Sequence, residues 1–567
     1  MSVSSNRRQR AGRCAACAAR GRAAGSGGAR RRSGAAVDGP PAIATVRDGA
    51  AEDVDRQEVR TSLFANWDPF PDPEGQPVVY EWAIGRIPGG TDVLGWTAVG
   101  GATRANVNGI DLPVGFALYV SVRATDIHGN RSAIATSDGV LLGQRPVART
   151  TAGEVAAGDA YGSVERFGVT WTFERPVPCG RFVNGDWWVV GPVHVVAITP
   201  TSTADGGRVV NGSMLDPDPR ATVQGYDSAM FGADGRNRFD ADANVAFGVS
   251  RDRPLRLEPG SSLVSTISHP QPGALPQLET CAVLTCVATP PPDDAFRPPY
   301  CGRDKAPRWR AGQLDLSRLA RLEPPPDAPT LGELASQLER PWLDHASGWT
   351  GRYLHPRLNM PDYGRDMADV VGRAALALQL DHDQAAKRPL VIRLVQLGID
   401  LYGVVQNGGC FVADGGSGAG RKFPILFAGA VLHDEAMLRL VRERPEAFAE
   451  DVQTFYVAET SPGVWNRGHG GYGPEDAGLP EWGNQHAADP RFDQKSWTGD
   501  PYRRCCTANV WLGFVLATRI MGLIDAWGHD VLFDYVDRYL QIEAPGTWTR
   551  SFHPFAERMW DRYRPDF

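Results

Sequence analysis

No stretch of the 567 residues is an apolar run of the roughly 20 residues that a membrane helix needs, so no membrane span is expected. Residues 1–36 lack any acid and any continuous apolar core, so they do not read as a secretory signal. Nine arginines and long Ala/Gly/Ser runs stand there instead. For residues 1–38 two readings stay open: a basic tail that binds an anionic partner, and a disordered stretch of low complexity. Lysine is scarce beside arginine, with only Lys305, Lys387, Lys422 and Lys495. The net charge of −7 argues against a nucleic-acid-binding surface. The 9 cysteines make no regular framework. Cys14 and Cys17 form C-x-x-C without a second pair, which argues against a zinc site. Cys179, Cys281, Cys286 and Cys301 would supply disulfides if the chain is exported. No EF-hand spacing is present, although the Asp/Asn/Gly-rich stretch 225–244 is an open candidate for calcium. The segment 415–420 is rich in glycine but lacks the G-x-x-x-x-G-K-[ST] order, so no nucleotide site is expected. No cofactor is predicted. Calcium and zinc are left open, and so is the oligomeric state.

What is present is length and structure-forming pattern. A chain of 567 residues predicts three or four domains, and 64 glycines with 44 prolines favour loop-rich β structure. Residues 39–145 read as one all-β module. Strand-like runs SLFANW, VVYEWAIG, WTAVGG, ALYVSVRATD and GVLL are separated by turn signals PDPEG, PGG and HGN. The carrying residues are Trp67, the run Tyr80–Gly85, Pro88–Asp92, Leu112, Gly115, the run Tyr119–Asp126 and Gly129–Ser132. On these the module resembles a fibronectin type III domain. The resemblance departs at one point: where the family has the tyrosine of its corner, this chain has Leu118, with Tyr119 beside it.

Residues 146–164 are small and polar and read as a linker. Residues 165–300 read as a second β-rich domain, with strand candidates GVTWTF, GDWWVVGPVHVVAITP, GRVVNGSM, NVAFGV, SLVSTI and CAVLTCVAT. Asn184-Gly185-Asp186 predicts a hairpin turn. Trp187 and Trp188 follow it and must point to opposite faces, which leaves one of them available either for packing or for stacking on a sugar. A proline-rich strap, residues 301–330, separates this part from the next.

Residues 331–567 switch to helical periodicity. Thr330 and Glu333 predict a capped start. Helices are expected in 363–380, 388–406, 423–432, 434–444, 505–523 and 530–541. Three irregular segments precede helices: 342–366, 407–424 and 464–509. They gather His, Tyr, Trp, Arg and Asn at what would be one rim. In layout this resembles the α/α-toroid enzymes that depolymerise polysaccharides, though eight or so helices would make only a partial toroid. The expected architecture is therefore multidomain β plus α: a fibronectin-like β-sandwich, a second β-rich domain and a C-terminal helical-hairpin domain.

The resemblance implies a polysaccharide substrate and an extracellular or periplasmic location. The favoured chemistry is β-elimination on a uronic-acid-containing glycan, in which a side chain must neutralise the carboxylate and a base must take the adjacent proton. Candidate catalytic residues are His469, Tyr363, Asn359, Arg365, His355 and Tyr472. Candidate substrate-binding residues are Trp349, Arg352, Arg421, Lys422, Trp465, Trp482, His486 and Arg503. Arg365 with Asp366 reads equally well as an ion pair at a helix start. A glycoside hydrolase using a carboxylate pair drawn from Asp362, Asp366, Asp414, Glu475, Asp476 and Glu481 is the first alternative. A thiol at Cys505-Cys506 on a helix start is another, and a carbohydrate-binding or cell-surface scaffold is the non-enzyme alternative.

Overall fold

The structure, a computed structural model, describes residues 38–50, 53–54, 56–57, 62–86, 88–110, 112, 117–142, 159–229, 238–274, 276–346, 354–357, 364–413, 415–458, 474–483, 503–504, 506–546 and 549–567. They fall into two compact units, one holding the described residues from Asp38 to Leu142 and the other those from Asp159 to Phe567.

The first unit is a β-sandwich. Strands β1 (Val46–Asp48), β3 (Ser62–Trp67) and β6 (Arg104–Asn108) form one sheet. The other has the order β2 (Arg56–Gln57), β9 (Val140–Leu142), β7 (Ala117–Thr125), β4 (Val79–Gly85), β5 (Leu94–Gly100), with β8 (Ala135–Thr136) on β7. Alternation builds the core. Leu63, Ala65 and Trp67 of β3 and Leu118, Val120, Val122 and Ala124 of β7 all point inward. This strand order is fibronectin type III-like, as the sequence led us to expect. The corner bond is not made from Leu118, which is fully buried in the core. Tyr119 turns to the opposite face and lies against Gly139, where a Cβ would come within 2.8 Å of its ring. A buried hydroxyl bond to backbone comes instead from Tyr80, which accepts from the Phe70 amide at 3.0 Å.

The second unit opens with an eight-stranded sheet of order β16 (Ser213–Leu215), β18 (Ser261–Ser268), β19 (Leu278–Val287), β12 (Trp187–Val190), β11 (Val169–Arg181), β13 (Val193–Thr199), β17 (Leu255–Leu257), with β10 (Ala160–Arg166) on β11. β14 (Thr203–Asp205) and β15 (Arg208–Val210) make a hairpin outside it. β10 begins within the stretch that reads as linker. NVAFGV (244–249), expected as a strand, is a run of turns: the Asn244 side chain accepts from the Ser213 and Ala246 amides, and Gly248 has φ +76°. Trp187 and Trp188 do face opposite ways. Trp188 is buried, while Trp187 is held under the Arg181 guanidinium (4.0 Å) and donates to the Glu165 carbonyl at 2.7 Å. Both are therefore structural.

Strand β19 is buried on both faces, which explains its continuous apolar sequence. Cys281 and Val283 face one core, and Ala282, Leu284 and Cys286 face the other. The first of these cores is shared with the helices: α1 (Leu331–Gln337), α2 (Gly364–Ala377), α3 (Gln384–Gln406), α4 (Lys422–Leu432), α5 (Glu435–Glu443), α6 (Ala449–Gln453), α7 (Ala508–Ile520), α8 (Ile524–Trp527), α9 (Asp530–Ile542) and α10 (Pro554–Tyr563). Two short strands, β20 (Thr454–Tyr456) and β21 (Pro480–Trp482), pair between α6 and α7. Thr330 and Glu333 form the expected capping box. The short α6 and α8 and the terminal α10 have no counterpart in the sequence reading. α3 is long and apolar enough to cross a membrane by length and composition, and 78% of its most apolar window is buried inside this fold. Cys179, Cys281, Cys286 and Cys301 are buried free thiols rather than disulfides.

The sheet and the helices are joined by a buried charge network. Arg297 is fully buried. It donates to Asp186, in the Asn184-Gly185-Asp186 turn, at 2.7 Å, and to Asp400 on α3 at 2.9 and 2.5 Å. Its backbone exchanges two bonds with the Gln396 side chain. Arg297→Ala would leave two buried carboxylates without their cation. We expect a loss of about 3–5 kcal/mol in denaturant unfolding of the second unit, more than for a surface arginine such as Arg256→Ala.

Candidate functional site

The chemistry-bearing side chains of the helical part collect around the segment Gly415–Lys422. Close passage of backbone explains its glycines: a Cβ on Gly416 would fall 2.1 Å from the Cys506 carbonyl, and one on Gly420 would fall 2.7 Å from Ala368 Cα. The glycines serve packing, not the cradling of a phosphate.

On one side lie Asp344, His355 and Arg421, all buried. His355 Nε2 is 3.0 Å from Asp344 Oδ1, and Arg421 Nε donates to Asp344 Oδ2 at 3.2 Å. Burial raises the Asp344 carboxyl, but Arg421 and His355 outweigh it and hold the group well below the usual carboxylate range. His355 Nδ1 is buried without a partner. His345 stands beside this pair, edge-on between Tyr226 and Tyr300, with ring centroids 5.8 Å from each. Burial lowers its pKa to about 3, so it is neutral, and its Nε2 is unpartnered. Tyr226 brings a further unpartnered hydroxyl, from the sheet-bearing part of the chain.

On the other side Lys422 is buried against Asp451 and donates to the Trp527 carbonyl at 2.8 Å. The Trp527 indole donates to Asp451 at 2.9 Å. Burial lowers the Lys422 pKa, and Asp451 opposes the shift. Next to Asp451, Glu450 is fully buried with both carboxyl oxygens unpartnered, and burial pushes its pKa up to about 7. Glu450 also feels the charges of both Lys422 and Arg421, which connects the two sides.

Arg421 and Lys422 were expected to meet a substrate carboxylate. In the fold each is already neutralised by an internal acid, because both are buried and need one. Arg365 bonds Asp366 at 3.1 Å and lies 4.6 Å over the Phe552 ring, which fits the ion-pair reading of this helix start. Trp482 and Arg503 come together, the guanidinium 5.0 Å over the indole, but both are buried. Arg503 donates to the Tyr535 hydroxyl at 2.9 Å and pairs with Glu481 at 3.6 Å. His469, Tyr363, Asn359, Tyr472, Trp349, Arg352, Trp465 and His486 lie outside the described residues, as do Asp362, Asp414 and Cys505. Cys506 is disulfide-bonded, so it offers no thiolate.

Asp344, Glu450, Tyr226 and Asn509, the last a fully buried side chain at the start of α7 with both amide atoms unpartnered, were not among the candidates that the sequence offered. Asp344 could have been found, since it adjoins His345 in the dense 342–366 stretch. The other three carry no local signal. Among the described residues, groups of three or more His, Cys, Asp or Glu close enough to share a metal ion occur only in the β-sandwich, as Asp38/Asp126/His128 and Asp48/Asp53/Asp138. Protein donors already occupy these carboxylates: His128 meets Asp38 at 2.8 Å, and Ser137 and Gly139 bond Asp48. In the 225–244 stretch Asp227 is paired with Arg208 and Asp240 caps a turn of 3-10 helix.

Glu450 predicts a specific pH dependence. Its pKa is raised from 4.5 to about 7, so the folded state holds this proton more tightly than the unfolded chain does. Its contribution to stability therefore falls as pH rises through that window. Glu450→Gln should match the wild type in urea midpoint near pH 4. It should then gain on the wild type up to neutral pH, by at most on the order of 3 kcal/mol.

No protein family model matches the chain, and no curated protein matches it. Solved structures give partial likenesses. The PKD domain of an M14-like peptidase from a Thermoplasmatales archaeon is 20% identical, over 19% of this chain and 100% of that one, with a TM-score of 0.15. A human fibronectin type III domain is 16% identical over 20% of this chain and 86% of that one, with a TM-score of 0.13. The trypsin-activated alpha-2-macroglobulin of Escherichia coli is 9% identical over 92% of this chain and 39% of that one, with a TM-score of 0.17. At these scores the likenesses add nothing to the strand order of the sandwich.

Proposed function

We propose that the chain is a polysaccharide-degrading enzyme that cleaves a uronic-acid-containing glycan by β-elimination, with His355 as the base. The observation that carries the reading is the Asp344–His355 pair. A carboxylate on Nε2 favours the tautomer that is protonated there and leaves the Nδ1 lone pair facing no protein donor. Asp344 stays ionised and stabilises the imidazolium formed when Nδ1 takes a proton. In the reaction His355 removes the proton beside the sugar carboxylate, the C–H electron pair becomes a C=C bond, and the glycosidic C–O bond breaks. Asn359 and Tyr363 immediately precede α2 in the sequence and are the candidates for holding the carboxylate and protonating the leaving oxygen.

The substrate class rests on the sequence: the tryptophan-rich segments 342–366 and 464–509, the fibronectin-like module, and a layout resembling α/α-toroid enzymes. An exported location belongs to the same reading.

One observation favours hydrolysis instead. Glu450, pushed up to about 7 with both oxygens unpartnered, has the properties of a general acid.

Incubation with uronic-acid and neutral polysaccharides separates the two chemistries. Elimination creates an unsaturated sugar with new ultraviolet absorbance, whereas hydrolysis yields reducing ends without it. His355→Ala should lower the elimination rate by about 10²–10⁴-fold while the protein stays folded, and Asp344→Asn should lower it too. Full turnover in His355→Ala removes this base. A loss confined to Glu450→Gln, with reducing ends as product, selects the hydrolase.

A further inference from the structure

Where the sheet meets α3, the fold brings four guanidiniums to one small cavity. Arg297, Arg340 and Arg393 line it, with Asn184, Glu339 and Gln396. Arg166 stands at its edge. Its Nη2 and Arg393 Nη1 donate to the same Asn184 carbonyl, at 3.0 and 2.9 Å. Arg166 and Arg340 also share the Phe167 ring, with their guanidinium carbons 3.8 and 4.3 Å from its centroid. Arg340 and Arg393 in turn share one acid, each 3.5 Å from an oxygen of Glu339.

Three like charges thus lie side by side in a largely buried place. The side chains of Arg166, Arg340 and Arg393 are 13%, 12% and 22% exposed. Burial lowers the pKa of Arg340 and of Arg393; Glu339 opposes the shift, and the Arg166 charge adds to it. Buried cations need matching anions, and the protein supplies too few. Asp400 is spent on Arg297. Asp186 bonds Arg297 at 2.7 Å and Arg166 at 3.2 Å. Glu339 is the third acid. Arg181 and Glu165, farther out, cancel in charge. Four cations therefore face three carboxylates, and one positive charge is left over.

Size decides what balances it. The cavity measures about 10 Å³, room for one water or one monatomic ion. The four oxygens of a phosphate do not fit, and a carboxylate brings its carbon skeleton. Guanidinium N–H groups only donate, so whatever sits between Arg340 and Arg393 must accept. A water accepts but leaves the charge unbalanced, whereas a halide does both.

We propose that this cavity is a halide site, in which one chloride ion between Arg340 and Arg393 completes the charge balance that joins the sheet to α3. The site is independent of the glycan-cleaving reading.

The test uses the full chain in sodium chloride or sodium isethionate at equal ionic strength, so that general screening is the same in both. Chloride should raise the thermal midpoint above that in isethionate, and the chloride NMR line should broaden in proportion to protein. Arg393→Gln, which removes the surplus charge, should abolish both effects. Glu339→Gln, which removes the competing acid, should tighten chloride by about tenfold or more, a gain that misfolding cannot produce. If Arg393→Gln does not fold, Glu339→Gln decides alone. Equal midpoints of the wild type in the two salts, or chloride affinity unchanged by Glu339→Gln, overturns the site and leaves a water in the cavity.

Discussion

The second unit depends on one buried cation. Arg297 must be paired because it cannot reach water, and its two partners belong to different layers: Asp186 to a turn of the sheet, Asp400 to the longest helix. The position of α3 relative to the sheet is therefore set by charge as well as by apolar packing. Burying an ion pair adds little net stability over an apolar pair, but it tolerates few alternative arrangements, since any shift strands a charge. The sheet and the helices thus close over one core, with β19 between them.

The same rule shapes the candidate site. Asp344 and Arg421, and Asp451 and Lys422, are matched pairs on either side of the glycine-rich segment. What the pairs leave unmatched is informative: one lone pair on His355, one carboxyl on Glu450, one amide on Asn509. They are buried without partners in a fold that otherwise neutralises its buried charges. The chemical reading follows from that residue, and the neutralised arginine and lysine cannot themselves hold a substrate.

Much of the fold was legible because its signals are local. Alternation in SLFANW and ALYVSVRATD, the Asn-Gly turn at 184–185, the Thr330/Glu333 capping box and the apolar spacing of α2, α3 and α9 each act within a few residues of one another. NVAFGV misled because Asn244 bonds its own neighbourhood and Gly248 turns the chain, so apolar content alone did not make a strand. Arg421 and Lys422 misled for the opposite reason: their acids lie 77 and 29 residues away. The 342–366 stretch stands out in the sequence as dense in polar and aromatic groups. Which of its members form a pair with Asp344 was settled by contacts that no spacing encodes.

By itself the sequence determined where β structure gives way to helix, the fibronectin-like character of residues 39–145, and the capped start of α1, because each of these follows from residues adjacent along the chain. Only the tertiary structure decided that the sheet and the helices share a core, that the basic pair at the start of α4 is internally neutralised, and that Asn509, Glu450 and His355 carry buried polar atoms without partners. These depend on desolvation and on charge pairing between residues far apart in sequence, and a residue's burial exists only once the whole unit has folded.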